Sequence, residues 1–325
     1  MHCFLFLTLV AFSPPESDPG PFVRALWLVQ QLGTAESCDP ANDIRIKSVL
    51  SHALTSQGEL TVSKLEGMMQ PESIKKLTAV GGRIDADTVR STVEAAVPAS
   101  RSRLLPRARQ HLDYLTTTFD AIDEKHREAA RQLAEWIAKN YHPGEPLHAI
   151  VVCTGNSRRS ILGATMGNMA AAYYGMPEIR FSSGGTTPSA FNKRTIVTLQ
   201  EIGVEVQATG KEVPPRDPKI ANPIYLVRWG NSNLDDSRPM ETLEFSKVYS
   251  DPANPQSGFA ALMVCDEADA ACPLVKGSAV RISMPYLDPK IYDDGAFEKI
   301  KYAERRDDLG RFMLSVMLQA QKRRL

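Results

Sequence analysis

The chain has 325 residues, of which 43% are hydrophobic and 23% are charged, and its 38 Lys and Arg residues balance 38 Asp and Glu residues to a formal net charge of zero. This composition is typical of a globular protein and excludes collagen-like, coiled-coil and disordered chains. The balanced charge, without any long Lys/Arg block, also argues against nucleic acid as a partner. At about 150 residues per domain, the length predicts two domains.

Residues 1–13 contain an apolar run that ends at the small-x-small triplet AFS, at 11–13. A membrane span needs about 20 apolar residues, so this run is too short to cross a bilayer, and no stable membrane span is predicted elsewhere in the chain. Its length suits the core of a signal peptide, although no Lys or Arg precedes it and two prolines follow at once. Two readings stay open, a weak secretory signal and an apolar N-terminal end.

Residues 14–103 are framed by turn-rich stretches at 13–21 and 97–100. Between these stretches, apolar residues recur at helical spacing, with two adjacent glycines at 81–82 as a break. The helical candidates are 23–32, 46–54, 60–69 and 88–96. We predict a small helical module of unknown role, for which packing or tethering is the simplest use.

From residue 104 onward, short apolar runs alternate with amphipathic segments, which is the pattern of an α/β fold. The strand candidates are 148–152, 179–182, 260–264 and 279–283. The helix candidates that accompany them are 119–141, 160–174, 190–202 and 304–320. The sequence therefore predicts a three-layer αβα domain over 104–325, with a mainly parallel four-stranded sheet and helices on both faces.

One stretch interrupts this alternation. Residues 223–229 and 245–249 look like two added strands around a polar loop, within an elaboration at about 223–250. Such a pair would either cover an edge of the sheet or shape access to a substrate, and the first role is the simpler one.

The 5 cysteines are too few and too scattered for a disulfide scaffold in a chain of this length. All 6 histidines precede Cys153, and the later cysteines form no CxxC pair, so no metal site is predicted. Reactive or buried thiols are the expected roles of the cysteines.

The most informative motif is the sequence CTGNSRRS at 153–160, directly after a predicted strand and before a predicted helix. In this motif Arg159 and Ser160 follow Cys153 at the Cys-x5-Arg-Ser spacing of a loop that closes around a tetrahedral oxyanion. Loop N–H groups, the helix N-terminus and a bidentate guanidinium would bind the anion. The predicted oxyanion-binding residues are Thr154, Gly155, Asn156, Ser157, Arg158 and Arg159.

Cys153 is the predicted nucleophile of this loop, because a helix N-terminus and neighbouring cations favour the thiolate. We expect Ser160 to donate a hydrogen bond to that thiolate and Asn156 to brace the loop. Arg158 is expected to face outward, with a second cationic contact to the anion as the alternative. The competing interpretation is a structural cysteine at a strand end, beside an unrelated basic turn.

Together with its flanking segments, this loop resembles the superfamily of low-molecular-weight protein tyrosine phosphatases and thioredoxin-linked arsenate reductases, and the resemblance covers the chain from about residue 104 to its end. The sequence FSSGGT at 181–186 resembles the family's strand-end Ser-x-Gly, and the similarity continues through AFNKR at 190–194 and the helix that follows. The resemblance implies a phosphatase-like α/β fold and arsenate, or a phosphate-type oxyanion, as the ligand.

The sequence CDEADAACP at 265–273 resembles the redox-active Cys-x6-Cys-Pro of the arsenate reductases, which tyrosine phosphatases of this fold lack. Asp288, followed by a proline, matches the family's general-acid loop. The resemblance implies that Cys153 attacks arsenate while Asp288 supplies a proton, and that Cys265 and Cys272 then carry the disulfide to thioredoxin. No metal or organic cofactor is implied.

Two departures from the family pattern bear on the substrate. Arg158 lies where many members have a second cysteine, and Ala164 replaces the Glu that helps some arsenate reductases bind potassium. The alternatives are a phosphomonoester hydrolase with a Cys153-phosphate intermediate and a non-enzymatic oxyanion-binding or redox-sensing module. Recycling by thioredoxin favours a cytoplasmic location, whereas a functional signal peptide would export the chain.

Overall fold

The computed structural model describes residues 60–61, 83–84, 99–116, 118–214, 219–231, 239–271 and 274–324. The apolar segment 1–13, most of the predicted helical module and Cys272 lie outside these ranges. Within the module, residues 60–61 and 83–84 form an antiparallel strand pair, β1 (Leu60–Thr61) and β2 (Arg83–Ile84). None of the described helices combines the length and apolar character that a membrane crossing requires.

The helices that follow are α1 (Ala99–Ser102), α2 (Pro106–Thr116), α3 (Glu124–Asn140), α4 (Arg159–Tyr173), α5 (Lys193–Glu201), α6 (Asp266–Ala271) and α7 (Glu298–Arg324). Short 3-10 helices span Phe119–Ala121 and Pro289–Tyr292. The strands are β3 (Leu147–Cys153), β4 (Ile179–Gly185), β5 (Glu205–Glu212), β6 (Pro223–Arg228), β7 (Glu241–Glu244), β8 (Phe259–Met263) and β9 (Ser278–Ser283).

The main sheet has four parallel strands in the order β4-β3-β8-β9 and is flanked by helices. The predicted α/β fold is therefore confirmed. Cys153 pairs in register with Gly185, and Val152 with Met263. Because the carboxyl ends of parallel strands meet at one edge, the segments after β3, β4 and β8 converge there.

The core explains why these strands could be recognised from sequence. All five residues of β8 are buried, and β3 is buried at every position except His148. Such continuous apolar runs are typical of parallel strands that are covered on both faces. Helix α4 packs closely on the sheet, since a Cβ added at Gly167 would lie 2.6 Å from the ring of Phe181.

A second sheet of three antiparallel strands, β5-β6-β7, carries the predicted elaboration. Its strands differ in two respects from the prediction. The strand expected at 245–249 is β7 at Glu241–Glu244, and 245–249 forms the turn after it. The second difference is β5, a strand that was not predicted. Helix α5 ends at Glu201, before Gly203 with φ +87°, and the chain then forms β5, in which only Val206 is buried.

The packed α/β unit begins before residue 104. In α1, Ser100 is buried and its hydroxyl donates to the Ala172 carbonyl at 2.7 Å. Arg101 is buried too, forms an ion pair with Asp113 at 2.9 Å and lies over the Tyr173 ring. Residues 99–102 therefore pack against the same core as the helices that follow.

Candidate active site

In the loop between β3 and α4, the backbone carbonyl groups point toward the neighbouring segment of the chain. These oxygens accept hydrogen bonds of 2.8–3.2 Å from the chain after β4, in the pairs Cys153 with Thr186, Thr154 with Thr187, Gly155 with Ser189, and Ser157 with Asn192. In a trans peptide the next N–H points the opposite way. The N–H groups of 154–158 have no acceptor among the described residues. The loop therefore presents a row of unused donors, which is the arrangement that binds an anion.

The tight curvature of the loop depends on two positions. Asn156 has φ +41°, in the left-handed region that asparagine tolerates better than most residues. A Cβ added at Gly185 would lie 2.6 Å from the Thr154 carbonyl oxygen and 2.9 Å from the Asn156 nitrogen. Only glycine at the end of β4 allows the loop to lie this close to the neighbouring strand.

The Cys153 thiol is 3% exposed, and its Sγ lies 3.1 Å from Ser160 Oγ. Asn156 Nδ2 donates to the same Ser160 oxygen at 2.9 Å. Because that oxygen already accepts from Asn156, the hydroxyl proton of Ser160 is available to Cys153. The structure thus places Ser160 and Asn156 as a donor to the sulfur and a brace for that donor.

Arg159 is 5% exposed and lies across the mouth of the loop. Its Nη1 donates to the Tyr286 carbonyl and its Nη2 to Asp288 Oδ2, both at 2.8 Å. Its Nε is buried and has no acceptor within the described part of the chain. A buried donor on a charged group is costly to leave unpaired, so Nε of Arg159 is a candidate donor to an anionic partner.

Asp288 and Glu267 form the acidic side of the site. Asp288 Oδ1 accepts from the Lys290 N–H at 3.0 Å, so both of its oxygens accept hydrogen bonds. Glu267 is 70% exposed and its Oε2 lies 3.9 Å from Arg159 Nη2. Both carboxylates therefore lie where they compete with a bound anion for Arg159.

The Arg158 guanidinium is paired away from the loop backbone. Its Nη2 donates to Asp293 Oδ2 at 2.8 Å and its Nε to the Tyr302 hydroxyl. Tyr302 in turn donates to Asp293 Oδ1 at 2.7 Å, and burial raises the pKa of Tyr302 above its usual value. The charge of Arg158 is thus already compensated by Asp293.

Cys265 lies two residues after the end of β8 and is fully buried beside the loop. Its Sγ lies 3.4 Å from Thr154 Oγ1 and accepts from the Ala268 N–H at 3.4 Å. Burial raises the pKa of the Cys265 thiol, although Thr154 and Arg159 act in the opposite direction. A second thiol therefore sits at the edge of the anion loop, held mainly in its neutral form.

These groups line a cavity of about 310 Å³ whose walls are Cys153, Thr154, Gly155, Ser157, Arg158, Arg159, Ser189, Glu267, Asp288 and Lys290. The structure thus brings the predicted nucleophile, the loop and Asp288 together, with Cys265 behind Thr154. Cys272 lies outside the described residues. Across the described ranges, no group of three or more His, Cys, Asp or Glu side chains is placed to bind a metal ion.

Two supporting groups, in the segment that follows β7, were not predicted from the sequence. Ser246 Oγ donates to the Gly155 carbonyl at 3.0 Å, and the Lys247 N–H donates to Asn156 Oδ1 at 2.8 Å. No local motif marks these residues, because their partners are 91 positions away in the chain. The one available signal was Glu244 and Lys247, two opposite charges at a spacing of three beside an apolar strand.

No family model and no curated protein matches this sequence. Among solved structures, it is similar to a low molecular weight phosphotyrosine phosphatase from Vibrio cholerae O395, with 12% identity, a TM-score of 0.32, and coverage of 52% of this chain and 93% of that one. It is also similar to a thioredoxin-dependent arsenate reductase from Corynebacterium glutamicum, with 16% identity, a TM-score of 0.27, and coverage of 81% and 91%. Both proteins come from the superfamily that the motifs resemble. The fold assignment itself depends on the strand order and the loop described above.

Proposed function

We propose that this protein reduces arsenate to arsenite through a relay of three cysteines, with thioredoxin as the reductant. The observation that carries the proposal is the position of Cys265, whose thiol lies against Thr154 of the anion loop. A phosphatase requires only the loop cysteine, whereas a reductase requires a second thiol that can reach the first.

Binding of arsenate would satisfy the donors that the loop leaves open. The N–H groups of 154–158 and the buried Nε of Arg159 would donate to the anion oxygens. Since Arg159 Nη2 is held by Asp288 at 2.8 Å, an anion would also take over this contact. Asp288 would then be released from the guanidinium and placed above the bound oxyanion, where a protonated carboxyl group could act as general acid.

The relay consists of four successive exchanges of bonds at arsenic and sulfur. The Cys153 thiolate displaces a hydroxyl group of arsenate, which takes a proton from Asp288 and leaves as water, and an S–As bond forms. Cys265 attacks the Cys153 sulfur, the electron pair of the S–As bond stays on arsenic, and arsenite leaves. Cys272 then attacks Cys265 and releases Cys153. The thioredoxin dithiol finally reduces the Cys265–Cys272 disulfide, so two thiol electrons convert As(V) to As(III).

Burial of Cys265 fits the proposed order of these steps. It raises the pKa of the Cys265 thiol and so favours the protonated, less nucleophilic form. In the proposal, Cys153 therefore reacts with the anion first. Recycling by thioredoxin requires a reducing compartment, so we place the relay in the cytoplasm as part of the same proposal.

A single-turnover thiol count tests the proposal without any partner protein. Fully reduced protein is mixed with arsenate or with phosphate, and free thiols and arsenite are measured before and after. We expect two thiols to be lost and one arsenite to form for each chain, with arsenate only. Cys153→Ser should abolish the loss, and Cys38→Ser, a matched change outside the relay, should leave it intact. No thiol loss with arsenate would overturn the relay.

The second candidate is phosphomonoester hydrolysis through a Cys153-phosphate intermediate. The contact between Asp288 and Arg159 favours it, because it places a carboxyl group at the mouth of the loop where a leaving group would be protonated. The two candidates separate at Cys265. Cys265→Ser should stop multiple-turnover arsenate reduction and leave hydrolysis of an aryl phosphate within about twofold of the unmodified protein.

A further inference from the structure

The segment between β9 and Asp288 is held against the first turn of α3. His126 is 3% exposed, and its Nε2 lies 2.9 Å from the Pro285 carbonyl oxygen. A carbonyl oxygen only accepts hydrogen bonds, so Nε2 carries a proton and donates it. The same ring stacks on Tyr286, with 4.0 Å between the ring centroids and 33° between the ring planes. His126 therefore contacts both residues of the Pro285–Tyr286 pair.

The peptide group that joins Pro285 to Tyr286 is anchored at both of its ends. Its N–H, which belongs to Tyr286, donates to the Val264 carbonyl at 3.1 Å, on the side of β8. Its C=O points the opposite way and accepts from His126 on α3. The Val264 contact alone would fix one end and leave the other free to tilt. The His126 contact fixes the second end, and the stacked Tyr286 ring limits rotation about the line between the two anchors.

The carbonyl of Tyr286 follows this peptide group directly and orients Arg159. It accepts from Arg159 Nη1 at 2.8 Å. Nε and Nη2 share one edge of the rigid, planar guanidinium, so a fixed Nη1 sets the direction in which that edge faces. Nε has no acceptor among the described residues, and Nη2 is held by Asp288, the contact that an arriving oxyanion would take over. Once Asp288 has been displaced, the Tyr286 carbonyl is the hydrogen bond that still orients the guanidinium.

We propose that His126 is a positioning residue that, through the Pro285–Tyr286 peptide group, fixes the Arg159 guanidinium for two-point binding of an oxyanion. The proposal rests on the role of Arg159 in the proposed function. The hydrogen bond from Nε2 is the main contribution, because it sets the direction of the Pro285 carbonyl, whereas the ring adds packing beside Tyr286. Helix α3 is described over its whole length, and none of its residues lines the cavity around Cys153. The contact of His126 with the acid-loop segment gives this helix an effect on the site.

The test separates the hydrogen bond from the ring. His126→Gln keeps an N–H donor at about the position of Nε2 and removes the ring, whereas His126→Phe keeps a ring and removes the donor. His126→Leu, which also lacks a donor, is a second variant with less bulk. The measurement, in the full chain, is the concentration of inorganic phosphate that halves the rate of Cys153 alkylation by iodoacetamide, read by mass spectrometry of the Cys153 peptide. Alkylation without phosphate gives each reference rate, and thermal unfolding shows that each variant is folded.

We expect the Phe and Leu variants to need roughly three- to tenfold more phosphate than the unmodified protein, which is the range that loss of one hydrogen bond allows. The Gln variant should stay within about twofold. In an Arg159→Lys background the Gln and Phe variants should need equal phosphate, because an ammonium has no plane to orient. Ile137→Val, a control in the buried face of the same helix, should lower the unfolding midpoint and leave the phosphate requirement unchanged.

Several results would overturn the proposal. The donor-free variants could bind phosphate like the unmodified protein. The Gln variant could be as weak as the Phe variant, which would assign the effect to the ring, or the two could still differ in the Arg159→Lys background. Equal weakening by Ile137→Val would assign the effect to stability. If phosphate does not protect Cys153 even in the unmodified protein, the anion loop of the proposed function fails too, whereas equal protection in all variants removes the role of His126 alone.

Discussion

The anion loop is contacted from two sides that differ in how their polar groups are satisfied. On the cavity side, Arg159 Nε and the N–H groups of 154–158 have no acceptor among the described residues. On the rear side, toward the added sheet, Glu244, Lys247, Ser183 and Asn156 bond to one another. Because buried polar groups are normally paired, the cavity side keeps donors available for a further partner, whereas the rear side is satisfied within the protein. Charge alone does not make this distinction, since both sides carry an ion pair.

The largest expected effect comes from the adjacent arginines, of which one is open and one is paired. Arg159→Lys should lower the rate of arsenate-dependent thiol loss about 10²- to 10³-fold, because an ammonium cannot replace a planar guanidinium that binds two oxygens. Arg158→Lys, the matched control, should change the rate less than about threefold, since its guanidinium is paired with Asp293 and Tyr302. Single-turnover thiol counting measures both. Equal losses would contradict the distinction between the two sides.

The next effect tests the close contact between β4 and the loop. Gly185→Ala should lower the free energy of unfolding by about 1–3 kcal/mol, because its Cβ would lie 2.6 Å from the Thr154 carbonyl oxygen, and Cys153 alkylation should slow as the loop shifts. Gly210→Ala is the control. At φ +75° it is also strained, by about 1 kcal/mol, but a Cβ there has open space around it. It should lower stability without changing alkylation; slower alkylation in this variant would show that the assay reports stability alone.

A smaller effect is expected at the acidic rim of the cavity. Glu267→Gln should tighten phosphate binding about two- to threefold, because it removes a competing charge 3.9 Å from Arg159 Nη2. The effect is limited because the Glu267 side chain is 70% exposed and screened by solvent. Asp266→Asn, one residue earlier on α6, controls for a general loss of negative charge. Calorimetric titration with phosphate would measure both affinities, and equal gains would assign the effect to net charge.

The smallest expected effect is on the pH dependence of the free energy of unfolding. His126 Nε2 contacts the Pro285 carbonyl at 2.9 Å, and burial lowers the pKa of His126 below its usual value. The unfolded chain therefore takes up a proton before the folded chain does, and the stability that neutral His126 contributes is lost as pH falls from about 7 through the folded pKa. Burial lowers the pKa of His111 and His148 in the same direction. His126→Gln should reduce the slope of the free energy of unfolding against pH, measured by denaturant titrations at several pH values.

Much of the main sheet was predictable because its strands are buried on both faces. The predicted strands at 148–152 and 260–264 match β3 and β8 to within one residue, since each is a continuous apolar run with turn residues around it. Strand β5 was not predictable in the same way. Its sequence EVQATGKE exposes nearly every side chain and has no apolar alternation, and its pairing with β6 alone keeps it extended.

The candidate site likewise has a part that local sequence predicts and a part that depends on contacts between distant segments. The spacing of Cys153, Arg159 and Ser160 is local, because one loop and the first turn of one helix carry all three residues. The contact of Cys265 with Thr154 spans 111 positions and depends on β8 lying beside β3. That adjacency is a property of strand order, which the spacing of the cysteines does not contain.

The sequence by itself determined the α/β class and the oxyanion loop, because periodicity and a single strand-loop-helix motif are short-range properties. Its resemblance to the phosphatase and arsenate reductase superfamily added Asp288 and the cysteine pair as predictions. Only the tertiary structure decided which donors of the loop are open, that Arg158 is paired, and that the ion pair of Glu244 and Lys247 lies behind Asn156. These outcomes depend on contacts between segments about 90 or more positions apart, because hydrogen-bond partners at that distance are set by packing and not by neighbouring residues.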